Sequence, residues 1–386
     1  MDGLTARQYI CGMQYSVWEK ETFYAPADVL IVGAGFTGLW SAYHLKKAQP
    51  ALNILILERG SVPAGASSRN AGFACFGSLT ELLADTRQSG TDAMLELAEM
   101  RFRGLEQISR IAARHKVDLE LNGGYELIDA GNPVSDLEDS ISWLNDQLKT
   151  FLGTSTCFSI ADHQIPAFGF KDIQHLILNR HEGTLHPGKL LQALQHELTS
   201  MGVRILYGIG VDSYMPQSGQ ITVNSSEFTF SCANLLLCTN AFTASLLNKV
   251  DILPARGQVI VVQPERPPAF SGSFHYDEGF YYFRNHGDRI ILGGARNKDF
   301  EREATATSGI TDTIRQHLET FLQQKLIPGQ RYLLTDHWSG IMAMGSSKAP
   351  ILDRIEPQVF LAARMSGMGV ALAPVAGEKI ARMILK

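Results

Sequence analysis

Three closely spaced glycines, Gly33, Gly35 and Gly38, constrain this chain more than any other feature of its sequence. A run of apolar residues precedes them and a helical pattern follows at once, which predicts a strand, a tight turn and a helix. Glycine permits the turn at the first position, a close phosphate at the second and close helix–strand packing at the third. A second apolar strand, 54–57, ends at Glu58, about where an acid accepts hydrogen bonds from a ribose. This order of elements predicts a dinucleotide-binding unit, whereas the glycines alone would fit an ordinary strand-to-helix turn.

The composition narrows the class of protein further. The 386 residues, 45% of them hydrophobic, suffice for two cores, and a net charge of -5 without long charged runs argues against a nucleic-acid partner. The N-terminal stretch lacks the apolar segment of a signal peptide, and no apolar run reaches the ~18 residues that span a membrane. No metal-ligand spacing stands out, so we expect no metal. The cysteines form no CxxC motif, which predicts reduced, buried thiols and a cytoplasmic protein: Cys11, Cys75, Cys157, Cys232 and Cys238.

The order of the remaining patterns predicts an α/β fold with two domains. A helical pattern followed by an apolar strand, as at 189–201 and 203–211, returns the chain to a parallel sheet. From Pro254 onward, strand patterns separated by turn signals predict an antiparallel sheet instead. We therefore expect a Rossmann-like cofactor domain and a second, α+β substrate domain built on an antiparallel sheet. The expected boundaries are 1–85, 180–245 and 335–386 for the cofactor domain, and 86–179 and 246–334 for the substrate domain.

Aromatic residues mark two further features. Residues 1–27 read as an arm that either packs on the body or reaches a partner through Trp18, Phe23 and Tyr24. In the second domain, an aromatic row ends at Arg284, and strand alternation places Tyr281 and Phe283 on one face and Phe280, Tyr282 and Arg284 on the other. One face is a core and the other a pocket wall, and the sequence does not assign them.

Two stretches rich in small residues suggest contact with something bulky. The loop 61–78 would let a backbone pass close to a flat group, although a surface loop has a similar composition. A second glycine turn, 366–369, precedes a helix expected from about Pro374. Such a helix N-terminus offers N–H groups and a positive dipole to an electron-rich ring atom, although a simple tight turn would look the same.

Taken in order, these motifs resemble those of the D-amino-acid oxidase family of FAD-dependent oxidoreductases, which includes sarcosine oxidase, glycine oxidase and gamma-glutamylputrescine oxidase. The matching stretches are ADVLIVGAGFTGL, LERG, GASSRNAGF, TLHPGKLL, LLLCTNAF, PARGQV, YYFR with IILGG, WSG with APIL, and SGMGVALAP. They cover nearly the whole chain, from about residue 18 to 386. Most are loose individually, and their order and spacing carry the specificity.

The resemblance implies which residues contact FAD. Gly33, Gly35, Phe36, Thr37 and Gly38 would surround the pyrophosphate, with Glu58 and Arg59 at the adenosine ribose and Val211 at the adenine. Ser67, Ser68, Arg69, Asn70 and Gly72 would form the loop that runs towards the isoalloxazine. Thr239 and Asn240 would cross near the cofactor, and Gly340, Gly367, Met368, Gly369 and Val370 would line the ring and its ribityl chain.

Departures from the family pattern narrow the expected chemistry. Some relatives attach FAD through a cysteine before the last glycine turn, and WSGIMAMGSSKAP has none, so the resemblance implies non-covalent FAD. Several relatives carry histidine where this chain has Met368, and a carboxylate-binding arginine where it has Ile341 and Met342. Ala371 stands where sarcosine oxidase uses a lysine. An arginine fork is the natural reader of a carboxylate, so an amine becomes a better expectation than a free α-amino acid.

The expected reaction is oxidation of the C–N bond of an amine or amino-acid-like molecule, with hydride transfer to flavin N5 and then to oxygen or another acceptor. Arg69, Tyr282 and Arg284 are candidates for positioning the substrate, although structural hydrogen bonds are an equal alternative for each. Lys348 lies near the expected ring, where it could interact with the flavin or oxygen, and the preferred interpretation is a solvated lysine. Rival readings are dehydrogenation of a 2-hydroxy acid or N-methyl amino acid, or a flavoprotein without catalysis.

Overall fold

Two large β-sheets organise the fold. The structure is a computed structural model that describes residues 15–217 and 219–386, so Cys11 lies outside the described residues. Each large sheet contains eight strands, and a two-stranded sheet accompanies them. This mixed α/β architecture confirms the predicted fold class.

The described residues form these helices and strands. The α-helices are α1 (Val17–Glu21), α2 (Phe36–Ala48), α3 (Ala66–Arg69), α4 (Leu79–Ser89), α5 (Thr91–Ala112), α6 (Leu137–Leu152), α7 (Ile165–Phe168), α8 (Pro187–Ser200), α9 (Phe300–Glu303), α10 (Asp312–Phe321) and α11 (Gly369–Ile384). The strands are β1 (Ala27–Val32), β2 (Ile54–Glu58), β3 (Phe73–Ala74), β4 (Gly124–Ile128), β5 (Phe158–Ile160), β6 (His175–Asn179), β7 (Gly183–Thr184), β8 (Arg204–Tyr207), β9 (Val211–Gln217), β10 (Gln220–Ser225), β11 (Thr229–Leu237), β12 (Leu253–Pro264), β13 (Ser273–Tyr276), β14 (Tyr281–His286), β15 (Arg289–Gly294), β16 (Tyr332–Met344), β17 (Ile351–Glu356) and β18 (Val359–Ala363). Short 3-10 helices lie at Asp162–Gln164, Asn240–Ser245 and Arg296–Lys298, and a π-helical turn at Leu322–Leu326 follows α10. Within the described ranges, no helix is both long and apolar enough to cross a membrane.

The first sheet contains the strand that leads into the glycine turn. The order of six of its strands is β17-β18-β11-β1-β2-β8, and the other two, β10 and β9, extend from β11. Strand β1 pairs in parallel with both β2 and β11. Alternate residues of β1 enter two different hydrophobic cores, Val29 and Ile31 on one face and Leu30 and Val32 on the other. A strand buried on both faces is apolar throughout, which explains the continuous apolar run before Gly33.

The second sheet is antiparallel except for one pair. Its order is β16-β12-β15-β14-β13-β4-β6-β5, with β13 and β4 parallel. Tyr281 and Phe283 lie in the core of this half together with Leu318 and Phe321 of α10. The structure thereby assigns the two faces that alternation left open. β16 crosses the expected boundary at residue 335 and pairs with β12 along its length, so the division into two domains stays a prediction.

The structure corrects two local expectations. Helix α11 begins at Gly369 rather than near Pro374, which lies inside it. A proline there leaves the carbonyl of Val370 without its helical N–H partner, a local cost that the packing of the helix tolerates. The expected packing of the N-terminal arm is wrong for Trp18 and Phe23, which are 73% and 58% exposed. It is confirmed for Tyr24, whose ring lies 5.5 Å from that of Phe228.

Candidate active site

A single continuous cavity of about 500 Å³ joins the ends of the parallel strands to one face of the second sheet. The predicted site residues that line it are Gly33, Gly35, Phe36, Thr37, Glu58, Arg59, Ser67, Arg69, Asn70, Val211, Thr239, Asn240, Tyr282, Gly340, Gly367, Met368, Gly369 and Val370. They come from positions far apart in the sequence, so the fold brings most of the predicted set to one cavity.

Four of the predicted residues do not line the cavity: Gly38, Ser68, Gly72 and Arg284. A Cβ at Gly38 would overlap the carbonyl of Gly33, so this glycine serves the helix–strand packing. Ser68 is exposed and its hydroxyl donates to the carbonyl of Gly65, at 3.3 Å. Gly72 accepts a hydrogen bond from Arg284 Nη1 at 2.8 Å.

The position of Arg284 contradicts the prediction that this side chain positions the substrate, because it does not line the cavity. Its guanidinium donates to the carbonyls of Gly72, Leu185 and Asn285, at 2.8, 2.8 and 3.1 Å. Burial lowers its pKa to about 10, partly offset by Glu120 and Asp118. These contacts give the side chain a structural role at the junction of β14 with the loop after α3.

The turn after β1 is built to hold a group that makes close contact with backbone. Gly33 has φ +106°, a conformation that side-chain-bearing residues rarely adopt. Gly35 caps α2 without a side-chain hydrogen bond, and a Cβ on it would lie 3.0 Å from Ser67 Oγ. That hydroxyl accepts the N–H of Phe36 at 2.9 Å. The remaining free N–H groups and dipole of the helix N-terminus suit a phosphate, so this part of the cavity fits a pyrophosphate.

The carboxylate of Glu58 connects the end of β2 to the same turn. Its Oε2 accepts the N–H of Ala34 and its Oε1 the N–H of Gly60, both at 3.0 Å. Arg59 follows it, with its guanidinium carbon 3.8 Å from the centre of the Phe242 ring. Because a carboxylate has about four acceptor sites, Glu58 retains capacity for ribose hydroxyls.

The last glycine turn also lines the cavity. Helix α11 starts there with Met368 as N-cap and no side-chain hydrogen bond to its first turn. Ser366 has φ 46°, and its hydroxyl is buried without a hydrogen-bond partner among the described residues. The side-chain oxygen of Asn240, which follows the neighbouring parallel strand β11, is buried and unpartnered in the same sense. Orphaned polar atoms on the wall of a cavity fit a polar ligand that completes them.

Arg69 reaches the cavity from α3 and is tied to β16. Its Nη1 donates to the carbonyl of Ser339 at 2.9 Å, and its own carbonyl accepts Trp338 Nε1 at 2.9 Å. These two bonds fix the loop after α3 against the strand that carries Gly340. Its predicted role in substrate positioning stays a prediction.

At the far end, Tyr282 and His275 form an aromatic wall. They are cross-strand partners on β14 and β13, and each meets the ring of Phe73 edge-on, at 5.9 and 5.2 Å. Gly293 leaves room for Tyr282, because a Cβ there would lie 2.6 Å from Tyr282 Cζ. Sequence reasoning missed His275, although its alternation with the core residue Phe274 was a usable signal.

Burial keeps both side chains of this wall uncharged. It raises the pKa of Tyr282 to about 12. It lowers the pKa of His275 to about 4, an effect that the charge of Glu81 opposes. His275 is 6% exposed, and its Nε2 has no hydrogen-bond partner within the described part of the chain. At neutral pH both side chains of the wall are therefore uncharged, and Tyr282 keeps its hydroxyl proton.

Next to the wall lies a cluster of paired charges, of which Glu81 and Lys348 line the cavity. Lys348 Nζ lies 2.6 Å from Asp85 Oδ1 and 3.3 Å from Glu81 Oε1, and Arg101 Nη1 lies 3.2 Å from that same Glu81 oxygen. Burial acts to raise the pKa of Glu81, but the cations Lys348 and Arg101 outweigh it and lower this pKa to about 2. The interpretation of Lys348 as a solvated lysine is wrong, since the side chain lies in this cluster at the edge of the cavity. Among the described residues, no group of three or more His, Cys, Asp or Glu could hold a metal ion.

A neighbouring carboxyl, Glu182, makes stability depend on pH. Its Oε1 accepts the N–H groups of Phe76 and Gly77 at 2.8 and 2.9 Å, and burial raises its pKa to about 8, helped by Glu81 and Glu126. Between pH 6.5 and 8 the unfolded glutamate is ionised while the folded one keeps its proton, so stability falls as pH rises. We expect Glu182→Gln to flatten this fall by about 1–2 kcal/mol, because glutamine keeps the acceptor oxygen and carries no titrating group.

The measurement is urea unfolding of the FAD-loaded protein at fixed FAD concentration, at pH 6.5 and pH 8, for both proteins. The window excludes His275, whose lowered pKa acts in the opposite direction below pH 6.5. Equal pH dependence in the wild type and in Glu182→Gln would show that Glu182 is ionised throughout.

The fold and the cavity together define a class of protein. A parallel βαβ unit presents an uncapped helix N-terminus to a cavity, and an antiparallel sheet closes the other end with an aromatic wall. Such an arrangement is typical of enzymes that bind a dinucleotide and a small molecule in one cleft.

Comparisons with known proteins establish the family. The family model described as FAD dependent oxidoreductase (DAO) matches residues 28–383, so the chain belongs to this family and is an FAD-dependent oxidoreductase. It is 23% identical over 372 residues to a probable oxidoreductase, OrdL, of Haemophilus influenzae, covering 93% of this chain and 83% of that protein. It is 22% identical over 384 residues to the gamma-glutamylputrescine oxidoreductase of Escherichia coli, covering 92% and 83%. The fold is similar to that of L-proline dehydrogenase from P. horikoshii, with a TM-score of 0.76, 15% identity and 93% of each chain covered.

Proposed function

We propose that the protein oxidises the C–N bond of an amine or amino-acid-like small molecule with FAD held non-covalently. The observation that carries this proposal is the continuity of the cavity, which joins the glycine turn after β1 to the wall of His275 and Tyr282. A cofactor threaded from the turn towards the wall would bring its ring and a small substrate together. Two similar proteins, named for gamma-glutamylputrescine and for L-proline, support an amine as the class of substrate.

The residues of the wall have definite tasks in such a reaction. FAD, when bound, supplies the acceptor for the hydride of the substrate. The buried, uncharged ring of His275 shapes the end of the cavity, and Tyr282 keeps its hydroxyl proton as a hydrogen-bond donor. Phe73, between them, excludes water from the amine. Positioning and fixed dipoles supply most of the effect in this kind of catalysis, so the absence of a sequence motif for a catalytic triad does not count against it.

Non-covalent binding of FAD gives a direct prediction. The purified protein should be yellow and should release free FAD on denaturation, because the thiols on the cavity wall, Cys75 and Cys238, are not nucleophilic. Burial raises the pKa of both, so they stay protonated. The measurement is flavin absorbance in the supernatant and in the pellet after acid precipitation. Flavin that stays with the polypeptide would contradict non-covalent binding.

The substrate class is tested by an anaerobic screen of flavin reduction. Polyamines, N-methyl amino acids, D-amino acids and 2-hydroxy acids are mixed with the FAD-loaded protein, and bleaching of the flavin absorbance is followed. Reduction by amines but not by hydroxy acids supports the proposal. Reduction only by hydroxy acids would establish the rival dehydrogenase, and no reduction by any class would favour a flavoprotein without catalysis. The reduced protein is then exposed to oxygen. Rapid return of the flavin absorbance would identify oxygen as the electron acceptor, and slow return would indicate another acceptor.

A cytoplasmic location completes the proposal. The described cysteines, Cys75, Cys157, Cys232 and Cys238, are free and buried. Free thiols are typical of a reducing compartment. Fractionation of cells that produce the tagged protein tests this location.

A further inference from the structure

We propose that Glu81 binds a cationic amino group of the substrate, and that this group is not the one that is oxidised. The substrate is then an amine with a second, cationic nitrogen, such as a diamine. The inference deepens the proposed function and rests on it. None of the sequence motifs pointed to Glu81, which lies in the first turn of α4.

One carboxylate oxygen of Glu81 is engaged in the cluster of charges, and the other is free for a ligand. Lys348 and Arg101 both donate to Oε1, at 3.3 and 3.2 Å. Within residues 15–217 and 219–386, Oε2 has no hydrogen-bond partner. The residue lines the cavity although it is only 7% exposed. Because a carboxylate has about four acceptor sites, Oε2 can accept hydrogen bonds from a ligand in the cavity.

The space in front of Oε2 is bounded by the turn between β13 and β14. Gly279 lies in this turn and lines the cavity. A Cβ on Gly279 would lie 3.9 Å from Glu81 Oε2 and 3.9 Å from His275 Nδ1, and apart from chain neighbours no other described atom would be within 4 Å. Burial lowers the pKa of His275 to about 4, so its ring is uncharged and does not repel a cation. An open space beside a carboxylate oxygen and a neutral ring suits a small group with N–H donors.

The charges around this space favour a cation. Four acids act on one another there and two cations neutralise them: Glu81, Asp85, Glu126 and Glu182 against Lys348 and Arg101. Burial, helped by the charge of Glu81, raises the pKa of Glu126 to about 7 and that of Glu182 to about 8. A cation bound next to Glu81 would reduce this excess of acids.

Other charged side chains at this end of the cavity do not serve as that cation. Glu278 lies 3.3 Å from Arg87, and both side chains are exposed. Arg296 lines the cavity, and the acid whose charge acts on it is Glu303. Neither arginine is a hydrogen-bond partner of Glu81 among the described residues, so Oε2 is left for a ligand.

The nitrogen held at Glu81 differs from the one that is oxidised. Burial acts to raise the pKa of Glu81, but Lys348 and Arg101 lower it to about 2, so the carboxylate is ionised at neutral pH. An ionised carboxylate favours the protonated form of an amine beside it. Hydride loss from carbon needs the lone pair of a neutral nitrogen, which an ammonium lacks. The C–N bond that is oxidised therefore belongs to a second nitrogen of the substrate.

A probe that cannot be oxidised tests the site without turnover. Cumylamine and cumyl alcohol have nearly the same shape, and neither carries a hydrogen on the carbon that bears the nitrogen or oxygen. Each is titrated at neutral pH into the FAD-loaded protein, and binding is followed by calorimetry and by the change in flavin absorbance. The ammonium should bind the wild type at least ~10-fold more tightly than the alcohol, and Glu81→Gln should remove that difference.

Asp85→Asn is the matched control. Lys348 Nζ lies 2.6 Å from Asp85 Oδ1, but Asp85 does not line the cavity. Both substitutions remove a carboxylate beside Lys348, and only Glu81→Gln removes one that faces the cavity. Asp85→Asn should therefore keep most of the preference for the ammonium. The role of Glu81 is overturned if the wild type has no such preference, if Glu81→Gln keeps it, or if the two variants lose it equally.

The pH dependence of the wild type gives a second measurement that does not depend on the folding of a variant. Glu81 stays ionised between pH 8 and pH 5.5, whereas Glu126 and Glu182 gain protons over this range and His275 stays uncharged. The preference for the ammonium should therefore change by less than about threefold between these pH values. A preference that disappears at pH 5.5 would assign the charge to Glu126 or Glu182 and would overturn the role of Glu81.

Flavin reduction tests the second nitrogen. Diaminobutane and butylamine, which have the same chain length, are mixed anaerobically with the wild type and with Glu81→Gln. The diamine should half-saturate the reduction of the wild-type flavin at a concentration about 10-fold lower than butylamine, and Glu81→Gln should remove this advantage. Equal concentrations in the wild type would contradict a second cationic nitrogen. If no amine reduces the flavin, the proposed function fails, and the cumylamine titrations still decide whether Glu81 binds an ammonium.

Discussion

Replacing Gly35 with leucine is expected to weaken the binding of FAD strongly, so that the variant purifies without the cofactor. A Cβ at this position already lies 3.0 Å from Ser67 Oγ, and the rest of a leucine side chain would project into the cavity beside the N-terminus of α2. The space and the N–H groups that suit a pyrophosphate would then be covered by an apolar group. An overlap that costs about 3 kcal/mol weakens binding ~100-fold. The measurement is the ratio of flavin to protein after purification, followed by titration of the apoprotein with FAD.

The control for this variant is a leucine at a nearby exposed position that does not line the cavity. Ser68 lies on α3, one residue from the Ser67 hydroxyl, but it is exposed and does not line the cavity. Ser68→Leu should therefore bind FAD like the wild type, which would also remove Ser68 from the predicted cofactor contacts. Circular dichroism of both variants shows whether the sheets have formed. A folded Gly35→Leu protein with normal FAD content would contradict the assignment of this turn.

The cofactor half of the site could be predicted because its signals are local in the sequence. Gly33 needs an unusual φ, and Gly35 and Gly38 need room for a neighbouring atom, so three glycines at fixed spacing record the geometry of the turn. Glu58 follows as the end of the next strand, and its carboxylate binds the N–H of Ala34 within this turn. Sequence and structure agree here because the role of each residue depends on contacts within one strand–turn–helix–strand unit, whose order can be read from the sequence.

The substrate half could not be predicted because it depends on pairing between distant strands. His275 lies on β13 and Tyr282 on the next strand, β14, while Phe73 joins them from β3, which is about 200 residues earlier in the chain. No spacing rule connects these three residues in the sequence. Alternation identifies the face that Tyr282 occupies, but the choice between core and cavity requires the position of the helix α10 on the other face.

Arg284 shows where alternation alone fails. It shares a face with Tyr282, and the register of β14 pairs it with Ser273 and Ile291. That register carries it past the end of the cavity to the carbonyls of Gly72 and Leu185. Alternation with a period of two residues shows which face of the sheet a residue occupies. It does not show where along the strand the cavity ends, because that depends on the tertiary structure.

Replacing Gly293 with valine is expected to disable the substrate end while FAD still binds. A Cβ at Gly293 would lie 2.6 Å from Tyr282 Cζ and 2.7 Å from its hydroxyl oxygen, so the ring must leave its position. Valine is otherwise well suited to a strand interior, which limits the disturbance to this contact. A misplacement of about 1 Å at a reacting centre costs up to ~100-fold, so we expect kcat/KM to fall about 10- to 100-fold. The measurements are flavin content and steady-state kinetics with an amine that reduces the wild-type flavin.

A double-mutant cycle shows whether Tyr282 transmits this effect. Tyr282→Ala removes the ring that the valine displaces, so adding Gly293→Val to it should lower kcat/KM by less than about twofold more. The coupling free energy between Gly293 and Tyr282 is then nearly as large as the effect of Gly293→Val alone on kcat/KM. Losses that simply multiply in the double variant would show that Gly293 acts on the sheet rather than through Tyr282, and the aromatic wall would lose its proposed role. Tyr282 and the glycine turn line the same cavity, from the second and the first sheet. A loss of FAD from Gly293→Val would therefore mean that the valine disturbs cofactor binding, and would contradict the prediction that it acts on the substrate end alone.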